Sequence, residues 1–98
     1  MTRELIIDTE AEADLARARK WYEDRRNGLG NEFIEKFERT LDVIQRMPTV
    51  PRIVFRDLRR ILLRRFPYAI FYRANESLIT VVAVYHTSRD PTSWQSRA

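Results

Sequence analysis

Two apolar runs, Tyr68–Tyr72 and Leu78–Tyr85, lie close together in the second half of the chain, separated only by the polar break Arg73-Ala74-Asn75-Glu76-Ser77. Both are rich in Ile, Val, Phe and Tyr, whose branched or flat side chains suit a pleated surface better than a helix. Neither run alternates between apolar and polar. A solvated antiparallel sheet shows a period of two, so strands apolar on both sides need cover on both faces. The remainder of the chain must supply that cover. With 98 residues in all, it is expected to leave one face short.

The first half reads as helices. Leu5-Ile6-Ile7 is an expected edge strand, and Thr9-Glu10-Ala11-Glu12 then has the form of a capping box, Thr9 capping and Glu12 reaching back. Ala11, Leu15, Ala18 and Tyr22 recur at helical spacing with Trp21 on the border of that face. Asn27-Gly28-Leu29-Gly30 holds both glycines of the chain and ends this helix, since glycine accepts left-handed backbone just past a helix end at little cost. A second helix is predicted from about Asn31. Glu32 and Glu35 stand in its first turn, Ile34, Phe37, Leu41 and Ile44 form its apolar stripe, and Pro48 stops it. So short a connection makes the pair an antiparallel hairpin.

Past Pro48 and Pro51 the period changes. Ile53-Val54-Phe55 is a short extended piece and Arg59–Arg65 a strand, with Pro67 marking the turn after it. Tyr68–Arg73 and Leu78–His86 complete an antiparallel meander, and the polar tail from Thr87 carries Trp94 in a loop or short final turn. The expectation is one α+β domain over residues 1–98, in the order β-α-α-β-β-β. A helical hairpin packs on one face of a small antiparallel sheet, and the other face is poorly covered.

Composition narrows the class. An apolar fraction of 44% with 33% charged residues fits a folded soluble protein rather than a disordered one. No run approaches the ~20 apolar residues that span a bilayer, and no signal-peptide core stands at the N-terminus, so no membrane association is expected. Without cysteine there are no disulfides or thiolate zinc sites, and a reducing cytoplasm is the expected location. Charge is unevenly divided: residues 1–50 hold 9 basic and 11 acidic side chains, residues 51–98 hold 9 basic and 3 acidic. Arginine supplies 16 of the 18 cations. Its planar fork suits carboxylates and phosphates, so the sheet half either presents a solvated face or awaits an acidic partner or nucleic acid.

No active site declares itself. The one histidine, His86, is followed by Thr87, Ser88, Arg89 and Asp90. A Ser88-His86-Asp90 relay is not expected, because near neighbours on an extended segment do not point at one another and no oxyanion-hole signature is present. One histidine without cysteine leaves only scattered carboxylates for a metal, so neither metal nor cofactor is called for. No glycine-rich phosphate loop occurs. Glu32 and Glu35 read as a solvated helix start rather than an acid–base pair.

An ordered series of short motifs resembles the RelE/ParE superfamily of toxins from type II toxin–antitoxin (plasmid stabilisation) modules. It runs through Ala13–Leu15, Trp21-Tyr22-Glu23, Gly28-Leu29-Gly30 with Phe33, and Arg65-Phe66-Pro67-Tyr68-Ala69-Ile70-Phe71-Tyr72. It continues through Ala83-Val84-Tyr85-His86, Arg89-Asp90-Pro91 and Trp94. The resemblance spans nearly the whole chain and implies the same helical hairpin on a sheet. It also implies a cognate antitoxin whose acidic amphipathic segment wraps and silences the toxin, with DNA met only indirectly through that antitoxin.

Two activities divide the superfamily: cleavage of mRNA on the ribosome, and inhibition of growth by binding DNA gyrase. RNA cleavage needs cations for the phosphate charge and proton-transfer groups for the 2′-hydroxyl and leaving oxygen. The nucleases usually carry arginine second in the Tyr/His-Arg-Leu-x-Tyr strand, where this chain has Ala69, and often tyrosine after the histidine, where it has Thr87. The resemblance is therefore nearer the ParE-like, gyrase-binding branch. The alternatives are a ribosome-dependent endoribonuclease, with His86 as its catalytic acid or base, and a toxin fold surviving only as a partner-binding module. Candidate target- or antitoxin-binding residues are Arg59, Arg60, Arg64, Arg65, Tyr72, His86, Arg89 and Trp94.

Overall fold

A computed structural model describes residues 3–98. Strand β1 (Glu4–Ile7) leads directly into helix α1 (Thr9–Arg25), and a tight link joins it to α2 (Leu29–Arg46). Strands β2 (Ile53–Phe55), β3 (Leu58–Leu62), β4 (Tyr68–Ala74) and β5 (Leu78–His86) follow, then a short helix α3 (Pro91–Gln95). The sheet order is β1-β5-β4-β3-β2, antiparallel from β2 to β5 as expected. The added edge strand is the exception: β1 runs parallel to β5, Leu5 against Ile79 and Ile7 against Val81. Parallel pairing requires a crossover, and the helical hairpin with the three following strands supplies it.

Helix starts differ from the sequence expectation in instructive ways. Thr9 is not the cap; Asp8 precedes the first helical turn and makes no side-chain capping bond. Its N–H is still donated to Val81 O at 2.9 Å, while its own carbonyl already accepts Glu12 N–H, so one residue both ends β1 and opens α1. At α2 the helix begins at Leu29, two residues early, because the Glu23 carboxylate of α1 accepts the N–H groups of Gly28 (3.0 Å) and Gly30 (2.9 Å). Those two bonds hold the Glu23 carboxyl below its ordinary pKa. Gly28 has φ +89, and Gly30 is squeezed against α1: a Cβ there would lie 2.8 Å from the Arg19 carbonyl oxygen.

The core on the helix side is built from Phe33, Phe37 and Ile44 of α2, Ala11 and Ala18 of α1, and Ile70, Tyr72, Ile79, Val81 and Val84 of the sheet. Tyr72 is fully buried; its hydroxyl donates to Pro48 O at 2.8 Å, and burial pushes its pKa up to about 12. The Arg59–Arg65 strand is shorter than expected. It stops at Leu62, and Arg65 adopts φ +71 in the turn to β4.

The opposite face corrects a stronger expectation. It is not left open: Leu58, Ala69, Phe71, Val82, Ala83 and Tyr85 form a second core cluster, closed by Trp94 of α3. Trp94 stacks on Phe71 with ring centroids 4.1 Å apart and meets Phe55 edge-on at 6.2 Å. The polar tail serves as a lid because Asp90 caps α3, accepting Thr92 N–H at 2.9 Å, with Pro91 at its first position.

One buried ion pair ties lid, helix and sheet together. Asp14 of α1 receives both terminal nitrogens of Arg97, at 2.6 and 3.0 Å, and the N–H of Val84 at 3.0 Å. Arg97 also donates to Val82 O (3.2 Å) and the Tyr85 hydroxyl (2.9 Å). Val82 is the extra residue of a β-bulge, since Phe71 pairs with Ala83 and Tyr72 with Val81. The pair thus satisfies polar backbone groups of β5 beyond the end of β1.

Two stability outcomes follow from these contacts. Gly28→Val is expected to cost on the order of 1 kcal/mol or more, because a β-branched residue resists the left-handed region; an unchanged thermal midpoint would place the strain elsewhere. Arg97→Ala is expected to cost about 1.5–3 kcal/mol, the loss of charged hydrogen bonds to the buried Asp14, which keeps Arg17 and the Val84 N–H as partners. Asp14→Asn/Arg97→Leu should be less destabilised than the sum of its single changes in a denaturant cycle. Strict additivity would show that the two side chains act independently.

Candidate functional site

Two recesses flank the helical hairpin, one beside each helix. The larger, about 480 Å³, lies between α2 and β3 and is lined by Lys36, Arg39, Thr40, Asp42, Val43, Arg46, Ile61, Leu62 and Arg64. Lys36, Arg39, Val43 and Arg46 fall at i, i+3, i+7 and i+10, which places them along one side of α2. Four cations face one carboxylate. Arg39 pairs with Glu35 at 3.3 Å across an exposed turn, a contact worth little in water. Among the described residues, Lys36, Arg46 and Arg64 have no carboxylate within ion-pair distance. The floor is apolar, and Leu62 is 52% exposed at its edge. Such a groove suits a segment that alternates carboxylates with apolar side chains.

The smaller recess, about 170 Å³, lies beside α1 and the end of β5 and includes Arg17, Trp21, Tyr68, His86 and Arg89. Tyr68 and His86 are cross-strand partners, their rings edge-to-face at 5.3 Å. Burial raises the Tyr68 pKa, so its hydroxyl stays protonated at neutral pH.

A Ser88–His86 contact does form, against expectation. The backbone turns after His86, Arg89 N–H bonding His86 O at 3.0 Å, so residues 86–89 are not extended. The turn brings Ser88 Oγ to 2.8 Å and Ser88 N–H to 3.0 Å from His86 Nδ1. Because a backbone N–H can only donate, Nδ1 is the acceptor. Asp90 completes no relay; its carboxylate holds Thr92, which also keeps its pKa low.

The remaining candidates are dispersed. Arg59 donates to the carbonyls of Thr49 and Pro51 at 2.9 and 2.7 Å and braces the α2–β2 connection. Arg60 is exposed on the α3 side, paired in register with Phe71. Arg64 opens into the large groove, whereas Arg65 reaches Glu32 of α2 at 3.3 Å. Tyr72 and Trp94 are core residues, Trp94 only 8% exposed. His86 and Arg89 share the small recess. Lys36, Arg39 and Arg46 were missed, although their helical spacing was legible beside the apolar stripe of α2. Among the described residues no three His, Asp or Glu side chains converge as metal ligands, and no helix is long and apolar enough to cross a membrane.

Comparison with known proteins bears on the family and the fold. The family model described as the ParE toxin of the type II toxin–antitoxin system, parDE, matches residues 5–91. Toxin ParE2 of Mycobacterium tuberculosis, in both strains CDC 1551 / Oshkosh and ATCC 25618 / H37Rv, is 31% identical over 100 residues, covering 95% of this chain and 90% of that protein. Among solved structures, a chain of the chromosomal ParDE system from P. aeruginosa superposes with a TM-score of 0.74 at 17% identity, covering 86% of this chain and 95% of that one. A mutant of E. coli toxin RelE in the free state superposes at 0.63 with 18% identity, covering 100% of this chain and 95% of that one. Both likenesses establish the α+β fold.

The groove's chemistry can be checked directly. A synthetic amphipathic peptide of alternating glutamate and leucine is expected to bind, and to weaken as salt screens the cations. Arg39→Glu with Arg46→Glu should reduce its affinity tenfold or more; equal affinity for the reversed groove would refute this reading.

Proposed function

The chain belongs to the ParE toxin family of type II toxin–antitoxin systems, and from that membership we propose that it inhibits growth by binding DNA gyrase. On this reading it acts in the cytoplasm as a single domain and is kept silent by a cognate antitoxin. The observation that carries the proposal is the composition of the larger groove. It joins four cations to an apolar floor and contains no histidine or tyrosine to transfer a proton. That chemistry supports holding a partner rather than turning over a substrate. An acidic amphipathic antitoxin segment fits it, with carboxylates against Lys36, Arg39, Arg46 and Arg64 and apolar side chains on Val43, Ile61 and Leu62.

A second reading, ribosome-dependent cleavage of mRNA, has one observation in its favour: His86 shares its recess with Arg17, Arg89 and Tyr68. Against it, Ala69 is buried in the second core cluster where the nucleases carry arginine, so no cation projects from that position of β4. The sequence candidates on β3 also stand two strands away from His86 in the sheet order.

The two readings separate in a pair of assays, gyrase supercoiling with capture of cleaved DNA, and cleavage of ribosome-bound mRNA. The wild-type chain is expected to inhibit gyrase, and His86→Ala to retain most of that inhibition. Cleavage of A-site codons by the wild type that falls 10²–10⁴-fold in His86→Ala, the usual contribution of a general acid or base, would instead establish the nuclease.

A further inference from the structure

Trp21 is 50% exposed on α1, a helix whose buried positions are Ala11, Asp14 and Ala18, and it belongs to neither core cluster. Scattered exposed apolar residues need no explanation. Trp21 differs from the others, such as Val50, in being held in place. The Arg25 guanidinium lies 3.4 Å from its ring centroid and donates to its backbone carbonyl at 3.2 Å, and Tyr22 meets it edge-on at 5.1 Å. A ring fixed before binding loses little rotamer freedom when a partner covers it. The same ring borders the small recess with Arg17, Tyr68, His86 and Arg89.

We propose that this face, Trp21 with Arg17, Arg25 and Arg89, is the surface with which the toxin grips its target, and that it takes an acidic protein surface with an apolar slot for the indole. The inference rests on the reading that the chain acts by binding a protein. Charge supports it. Asp14 is the one carboxylate in the recess, and it is buried and shared between Arg17 (2.7 Å) and Arg97. Arg89 stacks over Tyr85 at 4.7 Å, and neither it nor Arg25 has a carboxylate partner among the described residues. A preset tryptophan ringed by tyrosine and arginine has the composition of an interface hot spot. At about 170 Å³ the recess is smaller than the roughly 300–1,000 Å³ of small-molecule sites and has room for a side chain or two. Single-stranded nucleic acid is disfavoured, because Arg25 already covers one indole face and Tyr68 and His86 are turned edge-to-face rather than set as parallel platforms for successive bases. The face lies beside α1 and the groove beside α2, so each could be tested without disturbing the other.

Growth inhibition on induction, which presumes no particular target, is the primary readout, with gyrase supercoiling by purified chain as the second. Trp21→Ala, and separately Arg25→Glu with Arg89→Glu, are expected to raise the half-inhibitory concentration about 30-fold or more, as loss of a central anchor does. Trp21→Phe should recover part of the loss, and Arg52→Ala, an exposed arginine outside both recesses, should match wild type. Thermal midpoints identify any variant that fails to fold; Arg25 and Arg89 are exposed, so the charge reversals decide the matter if Trp21→Ala is unstable. Undiminished inhibition by the folded variants overturns the inference. Wild type that arrests growth without inhibiting gyrase removes gyrase as target and leaves this face to be judged on growth. Wild type that does neither sinks both. Binding of a single-stranded oligonucleotide that these variants abolish would give the face to nucleic acid and overturn the proposal.

Discussion

The buried contact between Asp14 and Arg97 is the joint on which the rest of the molecule depends. A carboxylate taken out of water is costly unless charge and hydrogen bonds replace its hydration. Here the replacement comes from three places at once: the Arg97 fork behind α3, Arg17 one turn further along α1, and the Val84 N–H. The arrangement is needed because β1 is too short to pair with all of β5, and a bulge at Val82 disturbs what remains. Asp14 and Arg97 complete the ladder from outside. Holding Arg97 also sets the lid, since the short helix that places Trp94 on Phe71 leads straight into it. The Asp14 hydrogen bonds in turn strengthen the hold of Arg97 on its proton.

That joint also decides which surfaces remain for function. With α1 drawn onto β5 and the lid on the far face, both apolar faces of the sheet are covered from within the chain. The two recesses outside are lined largely by cations and lie to either side of the hairpin. The groove beside α2 is broad, apolar at its floor and without proton-transfer groups. The recess beside α1 is small and built around an aromatic ring already fixed in position. Two separate recesses are what the proposed reading calls for, one for the partner that silences the toxin and one for its target.

Much of this was legible in the residues. The apolar runs at 68–72 and 78–85 marked the two central strands, and the second was bounded correctly to the residue, Leu78–His86. Gly28 marked the turn between the helices because only glycine takes φ near +89 without strain. The motif series from Ala13 to Trp94 pointed to the toxin superfamily, and the family model and the homologue agree with it. Other features were hidden because they depend on partners distant in sequence. Glu23 replaces the expected cap of α2 from the other helix, and the Asp8 N–H stays in the sheet, so Thr9 never becomes a cap.

Local physics therefore determined the elements: period, breakers and propensity are properties of neighbouring residues, and they place helices and strands wherever the signal is strong. Only the tertiary structure decided what covers what. The tail from Thr87 reads as polar, yet it closes the second face, because one tryptophan and one arginine find Phe71 and Asp14 across intervals no local window spans. Tyr72 and Trp94 became core for the same reason. Lys36, Arg39 and Arg46 became the cationic wall of a groove only once α2 was laid beside β3. Charge and apolarity are written in the sequence; whether they face water, a core or a partner is set by long-range packing.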